Sequence, residues 1–423
     1  MATIRFINAV SILLVLLCNP AVLLAAGTYS GGTGQSDNPY LISTADDLDD
    51  IRNNTDDYYS YFVLTNDIDM AGYSYSIAVI PYSGLSFAGS FDGQGFVIGN
   101  LTITGSNDYV GLFGSTYAAE IKNVGIVDCD ITGYQMVGAL AGVNGGSITN
   151  CYSTGQVNGY RQVAGLIGYN GEGIVKNCYS SCEVNGTMDY VGGLVGYNWY
   201  GNIASSFSTG SSSGRLNTGG LLGDNMQGSV NNCYAAGAVT GLVNIGGLVG
   251  FNDGGSIANC YSTGLISASA YFGGLCGYQY ESSASIEDCF WDVNTSGTTT
   301  GYYLEPSSPG TVTKVVGMTT VDMKNESKYM SAGWDFVVEV DNGLTDIWFM
   351  PDSDYPKLWW QYDLQADTNF DGTVSLADFS KLTEEYLLRD GDIEQYRLKS
   401  DFNQNQVVDF TDVISLAADW LEE

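Results

Sequence analysis

Gly192-Gly193-Leu194-Val195-Gly196 is one of seven near-copies of the same block, the others beginning at Val110, Gly138, Ala164, Gly219, Gly246 and Gly273. Their central leucines are Leu112, Leu140, Leu166, Leu194, Leu221, Leu248 and Leu275, a spacing of 26 to 28 residues that chance does not produce. Other columns keep the same period. A β-branched column runs Ile121, Ile148, Val175, Ile203, Val230, Ile257, Ile286, and an aromatic one follows at Tyr152, Tyr179, Phe207, Tyr234, Tyr261 and Phe290. Asparagines recur after the glycine block at Asn144, Asn170, Asn198, Asn225 and Asn252, and before the cysteines at Asn150, Asn177, Asn232 and Asn259.

A unit this short, built of β-branched and aromatic runs punctuated by Gly, Asn and Ser, cannot bury its apolar face alone and must stack on a copy of itself. The repeat never goes ten residues without a turn residue, which excludes helical hairpins. Propeller blades need about 40 residues or more. Coiling one repeat per turn places like over like about 4.8 Å apart, where asparagine amides hydrogen-bond in ladders and rings stack. The expected fold is mostly β: a parallel β-helix of about 27-residue rungs. Glycines are expected where the chain turns sharply or backbones approach closely.

Cys151, Cys178, Cys233, Cys260 and Cys289 share one column, and Cys129 and Cys182 a second, two turns apart. Secretion permits disulfides, but in-register side chains point the same way rather than at each other, so stacked thiols and Cys151–Cys178 or Cys233–Cys260 bridges both stay open. With no histidine and no CxxC spacing, metal binding by these cysteines is not expected.

Gly193-Leu194-Val195-Gly196 together with Asn177-Cys178-Tyr179-Ser180 resembles the GLUG-motif repeat of bacterial secreted and surface proteins. The flanks are similar to the usual surroundings of such arrays: Asn38-Pro39-Tyr40-Leu41-Ile42, an acidic helix near 45–51, Phe62-Val63-Leu64 and Gly89-Ser90-Phe91-Asp92-Gly93 on entry, and Ala332-Gly333-Trp334-Asp335-Phe336 and Tyr355-Pro356-Lys357-Leu358-Trp359-Trp360 on exit. The likeness covers roughly 29–362. It implies adhesin-like or surface-display architecture with no reaction attached. The organisation expected is a leader at 1–26, an N-terminal cap and first turns at 27–106, GLUG-type repeats at 107–292, a C-terminal cap segment at 293–363 whose Trp334, Trp348, Trp359 and Trp360 close the open end of the coil, a sugar platform being the alternative, and a separate module at 364–423.

Residues 1–26 carry Arg5, an apolar run from Ile7 to Leu24 and small residues at Ala25 and Ala26, the pattern of a cleavable secretory signal, and no second apolar span follows. The net charge of −33 repels phosphate backbones, so nucleic acid is excluded as a partner. Such a chain is expected to be secreted, extracellular or at the cell surface.

The C-terminal module changes character, with helical runs between acidic loops. In the first loop Asp367, Asn369, Asp371 and Asp378 fall at positions 1, 3, 5 and 12, Gly372 permits the sharp turn, and Thr373 offers its carbonyl. Ca²⁺ takes six to eight hard oxygens, and this spacing curls them around one point. Asp401, Asn403, Asn405, Val407 through its carbonyl, and Asp412 repeat the register, with Asp409 as an added acid and Gln406 in place of the turn glycine, so the second site is expected to be weaker. Each loop leads into an amphipathic run, Leu376–Leu388 and Phe410–Leu421. Paired loop–helix units of this kind resemble a type I dockerin. The resemblance implies these residues as calcium ligands and a cohesin-like or other extracellular protein as partner. The pairs Leu376-Ala377 and Phe410-Thr411 depart from the hydroxyl pair of cellulosomal members.

An enzyme on a β-helix would break the repeat with unlike residues or a long loop. A lyase acting on acidic sugars needs basic side chains, but Arg52, Lys122, Arg161, Lys176 and Arg215, spread between 27 and 289, form no column. Hydrolysis needs two facing carboxylates, and the candidates Asp128 with Asp130 or Glu172 with Glu183 read as isolated turn acids. The expectation is therefore a non-catalytic adhesin-like or scaffold protein. The alternative is a carbohydrate-active enzyme or polysaccharide-binding subunit delivered through the dockerin-like module.

Overall fold

The structure, a computed structural model, describes residues 28–337, 347–351 and 353–361. The leader and both calcium loops, with every ligand named above from Asp367 to Asp412, lie outside the described residues.

The chain coils into a β-solenoid of about ten turns with rungs of roughly 27 residues. One turn shows the plan: strands Val195–Trp199, Asn202–Ala204, Phe207–Ser208, Ser212–Ser213 and Leu216–Gly219, returning through Gly220-Leu221. Each pairs in parallel with its copy on the next turn, Val195 on Leu222, Ile203 on Val230, Phe207 on Tyr234, Ser212 on Val239 and Leu216 on Val243. On entry, Tyr40–Ile42 pairs with Phe62–Leu64 and that strand with Ser90–Asp92. The helix Ala45–Asn53 between the first two strands starts at a reciprocal Thr44–Asp47 capping box and buries Leu48 and Ile51.

The glycine block works by close approach. None of Gly192, Gly193 and Gly196 sits in the left-handed region. A Cβ on Gly192 would lie 1.9 Å from the Val195 carbonyl oxygen, and one on Gly193 2.1 Å from the Gly220 carbonyl oxygen. Two backbone walls therefore meet with no side chain between them. The sharp corners fall instead to non-glycine residues with positive φ, such as Asn177 (53°), Tyr190 (65°) and Tyr200 (52°). Asparagine tolerates that conformation well, which explains the Asn123, Asn150, Asn177, Asn232, Asn259 column at one corner.

Leucine, β-branched and cysteine columns all point inward and are buried. The column from Asn144 to Asn252 is buried too, and each amide donates to the next rung: Asn144 Nδ2 to Asn170 Oδ1 (2.8 Å), then 2.8, 2.9 and 3.0 Å up to Asn252 Oδ1. The second hydrogen goes to the carbonyl three residues on, as from Asn198 to Gly201 (3.1 Å), so the buried amides are satisfied both across and within rungs.

The exit segment corrects the expectation for its tryptophans. Thr311–Met318 pairs with Ser285–Asp292 and adds the last strand of the stack. The tryptophans that follow do not close the end. They climb back along the flank: Trp334 Nε1 donates to the Asp288 carbonyl (2.9 Å), Trp348 Nε1 to Asn232 Oδ1 (3.3 Å) and Trp360 Nε1 to the Ser205 carbonyl (2.7 Å). The reason is the aromatic column, which points out of the shaft and presents an apolar stripe that only a flank strap can cover. The result is a second hydrophobic core outside the first, built from Phe207, Tyr234, Tyr261 and Phe290 on the shaft and Tyr329, Trp334, Trp348 and Leu358 on the strap. Among the described residues no helix is long and apolar enough to cross a membrane.

Candidate functional site

Two aromatic columns run along the solenoid, and they differ in what lies over them. On the strap side, Tyr152, Tyr179, Phe207, Tyr234 and Tyr261 stack at 4.7 to 5.0 Å with interplanar angles of 7° or less, and the strap covers the run from Tyr179 on. The other column is on the strand after the glycine block, where Tyr169, Tyr197, Asp224, Phe251 and Tyr278 are in register and face outward. At three of these rungs the left-handed corner residue folds back over the strand residue seven positions on. Tyr190 packs on Tyr197 (5.0 Å), Tyr271 on Tyr278 (5.4 Å), and at the middle rung Asn217 Nδ2 donates to Asp224 Oδ2 (2.9 Å).

Asp224 thus interrupts an aromatic belt with a small polar notch. Asn244 Nδ2 donates to Asn217 Oδ1 (2.8 Å), so a short amide relay ends on the carboxyl. The residue is 3% exposed and its Oδ1 has no hydrogen-bond partner. Burial pushes its pKa well above the usual carboxylate range, and the nearby Asp253 adds to this against the opposing pull of Asn217 and Arg161. Asp253, one rung up and two residues on, is raised as well, by its own burial and then by Glu281. On the other side of the notch the Arg161 guanidinium lies over the Tyr190 ring, 4.6 Å from its centroid.

Asp224 escaped the sequence reading, although a signal was present: it is the one acid in a column held otherwise by Val143 and then Tyr or Phe between the block's last glycine and the asparagine or glutamine. The acids singled out for hydrolysis are not brought together around a cleft. Asp128 is an exposed corner residue with φ 52°, and Glu183 is an exposed strand residue hydrogen-bonded to Asn185 (3.3 Å). A cavity of about 400 Å³ lies elsewhere, beside the last strand, between Val316, Met318 and Ala332, with Lys314 and Lys328 at its rim. Both lysines are ion-paired, with Asp288 and Asp322, each at 3.2 Å.

The eight cysteines among the described residues are buried free thiols. In the main column each donates to the carbonyl two residues earlier, as from Cys178 to Lys176 (3.2 Å) and Cys260 to Ala258 (2.9 Å), and Ser206 makes the same bond by its hydroxyl (2.8 Å). Cys129 and Cys182 reach each other across Gly155, the intervening residue of their column, and the hydrogen bond to Cys182, with burial, pushes the Cys129 thiol far up. Their Cα atoms are two rungs apart, about 9–10 Å, beyond the span of a disulfide.

Segments 133–158, 189–213 and 241–267 match the family model of the GLUG motif. The shaft contains GLUG repeats. Over 149 residues the chain is 36% identical to halomucin of Haloquadratum walsbyi, a stretch that is 32% of this chain and 2% of that protein. It is 34% identical over 134 residues to a protein of Evansella cellulosilytica provisionally named a Gly-rich membrane protein, 30% of this chain and 15% of that one. The chain thus spans less than a fifth of the length of either curated relative. A solved structure, provisionally named an immunoglobulin A1 protease from Bacteroides ovatus, aligns over 78% of this chain and 95% of its own with a TM-score of 0.49 and 20% identity. That likeness is too slight to bear on function.

Proposed function

We propose that this GLUG-repeat chain is a non-catalytic β-helix of the cell exterior, adhesin-like or scaffolding in role, whose C-terminal module docks it to a partner in a calcium-dependent way. The observation that supports the first part is the regular run of inner columns from rung to rung: no described turn between 110 and 290 departs from the repeat to assemble converging catalytic groups. The secretory pattern at 1–26 and the names of the two curated relatives, a halomucin and a Gly-rich membrane protein, agree with an extracellular or surface location. The docking part rests on the oxygen registers Asp367–Asp378 and Asp401–Asp412, which fit Ca²⁺ and resemble a dockerin with a cohesin-like partner. A module of this size draws its folding energy from the metal.

The test is fractionation of cells making the full chain, with and without chelator, alongside calorimetry of the purified protein. Surface retention that chelator releases, and a calcium-dependent unfolding transition separate from that of the shaft, are expected. Release of reducing sugar from a polysaccharide would overturn the non-catalytic reading in favour of a carbohydrate-active enzyme. A calorimetric trace unchanged by calcium would remove the docking module.

A further inference from the structure

The outer belt has a composition that the stacking of the coil does not require. Rungs are already held by the inner leucine, asparagine and cysteine columns, and the strap leaves this face uncovered. Tyr190 and Tyr197 form one ring cluster, and Tyr271, Tyr278 and Tyr303 form another, Tyr303 lying 4.8 and 5.2 Å from the other two and the Tyr278 hydroxyl donating to Glu305; from Tyr197 to Tyr278 is three rungs, about 14 Å at the rung spacing. Between them Asn217 and Asn244 are half-buried, and one amide hydrogen on each, with the Asn244 carbonyl, is left over after the relay to Asp224.

We propose that this belt binds an extended neutral polysaccharide laid along the solenoid axis, with sugar faces on the two tyrosine clusters and sugar hydroxyls at the Asn217 and Asn244 amides between them. Three observations select that occupant. The strands beneath are paired on both sides, so an extended peptide has no open edge to join. Asp189, Asp253 and Glu281 border the face in a chain of net charge −33, which repels phosphate, sulfate and uronate polymers and outweighs the two cations beside it, Arg161 over the Tyr190 ring and Arg215 against Met188. The rung repeat of about 4.8 Å is close to the length of one extended pyranose residue, so successive sugars meet successive rungs. Asp224 acts as a positioning residue: it holds Asn217 from below and keeps the notch small where the neighbouring rungs carry rings.

This inference deepens the reading as a surface-binding protein and rests on it. The experiment is native affinity electrophoresis of the full chain through gels containing soluble β-glucan, xylan or mannan, with polygalacturonate as the anionic control. Retardation by at least one neutral glycan and none by polygalacturonate is expected. Tyr190→Ala combined with Tyr271→Ala should weaken binding about tenfold or more, Tyr190→Phe should retain it, and Tyr59→Ala, at an exposed ring in the short helix Thr55–Tyr59 of the entry segment, should leave it unchanged, all at an unaltered melting temperature. No retardation by any neutral glycan, equal retardation by polygalacturonate, or undiminished binding by the double alanine variant would overturn the proposal. Fractionation run in parallel separates the two claims: surface retention without glycan binding sinks this inference alone.

Discussion

The two aromatic columns share a period and much of their composition, yet one is interior and the other is surface. Under the strap the rings are coplanar and continuous, and Trp348 and Trp334, themselves stacked at 4.6 Å, seal them. On the belt the rings are tilted, Tyr169 against Tyr197 at 32°, and the run is broken by Asp224. A continuous stack satisfies its own faces and shows only edges, so it becomes a packing surface for another segment. A broken, tilted column leaves faces and a polar gap, which is what a ligand surface needs.

Substitutions on the two sides should behave accordingly. Trp348→Ala empties a fully buried site between strap and shaft and should cost about 3–5 kcal/mol, read as a lowered urea midpoint; a loss below 1 kcal/mol would mean the strap does not seal the column. Asn198→Ala, in the dry interior both columns lean on, strands the Asn170 amide hydrogen, the Asn225 Oδ1 and the Gly201 carbonyl, and should cost about 2–4 kcal/mol. On the belt side, Asp224 contributes a pH dependence of definite sign. Its folded pKa is raised above the ordinary 3.8, so the native state holds the proton more tightly and stability is lost as pH rises from about 4 through the raised value. Asp224→Asn should remove most of that limb and be more stable than the wild type at the alkaline end; parallel stability curves from pH 4 to 9 would contradict this, and Asp253 leaves a smaller slope of the same sign. Tyr271→Ala, at a ring 45% exposed, should change stability by no more than about 0.5 kcal/mol. A large destabilisation there would make the belt another structural ladder.

Much of the shaft was legible. The leucine spacing from Leu112 to Leu275 implied one rung per repeat, and the structure pairs those repeats in register. The asparagine ladder followed from the same reasoning, since a buried amide stacked on itself satisfies both donor and acceptor. The flank position of Trp334, Trp348 and Trp360 was not legible, because a tryptophan-rich exit segment fits an open end and an apolar stripe equally well until the direction of the aromatic column is known. Asp224 was hidden for a related reason: in an acid-rich chain one more aspartate draws no notice, and only its register with Tyr197 and Phe251 shows that it replaces a ring.

Sequence alone therefore determined which residues lie above which, because a fixed repeat length leaves a coiled chain no other register that stacks like upon like. Tertiary structure decided which way each column faces. Left-handed corners such as Asn177, Tyr190 and Tyr200 reset the in–out alternation between strands, so a period-2 pattern cannot be carried around a turn. Whether a ring ends up beneath a strap or open to solvent depends on how the chain bends at those corners and where its tail then finds apolar surface to cover.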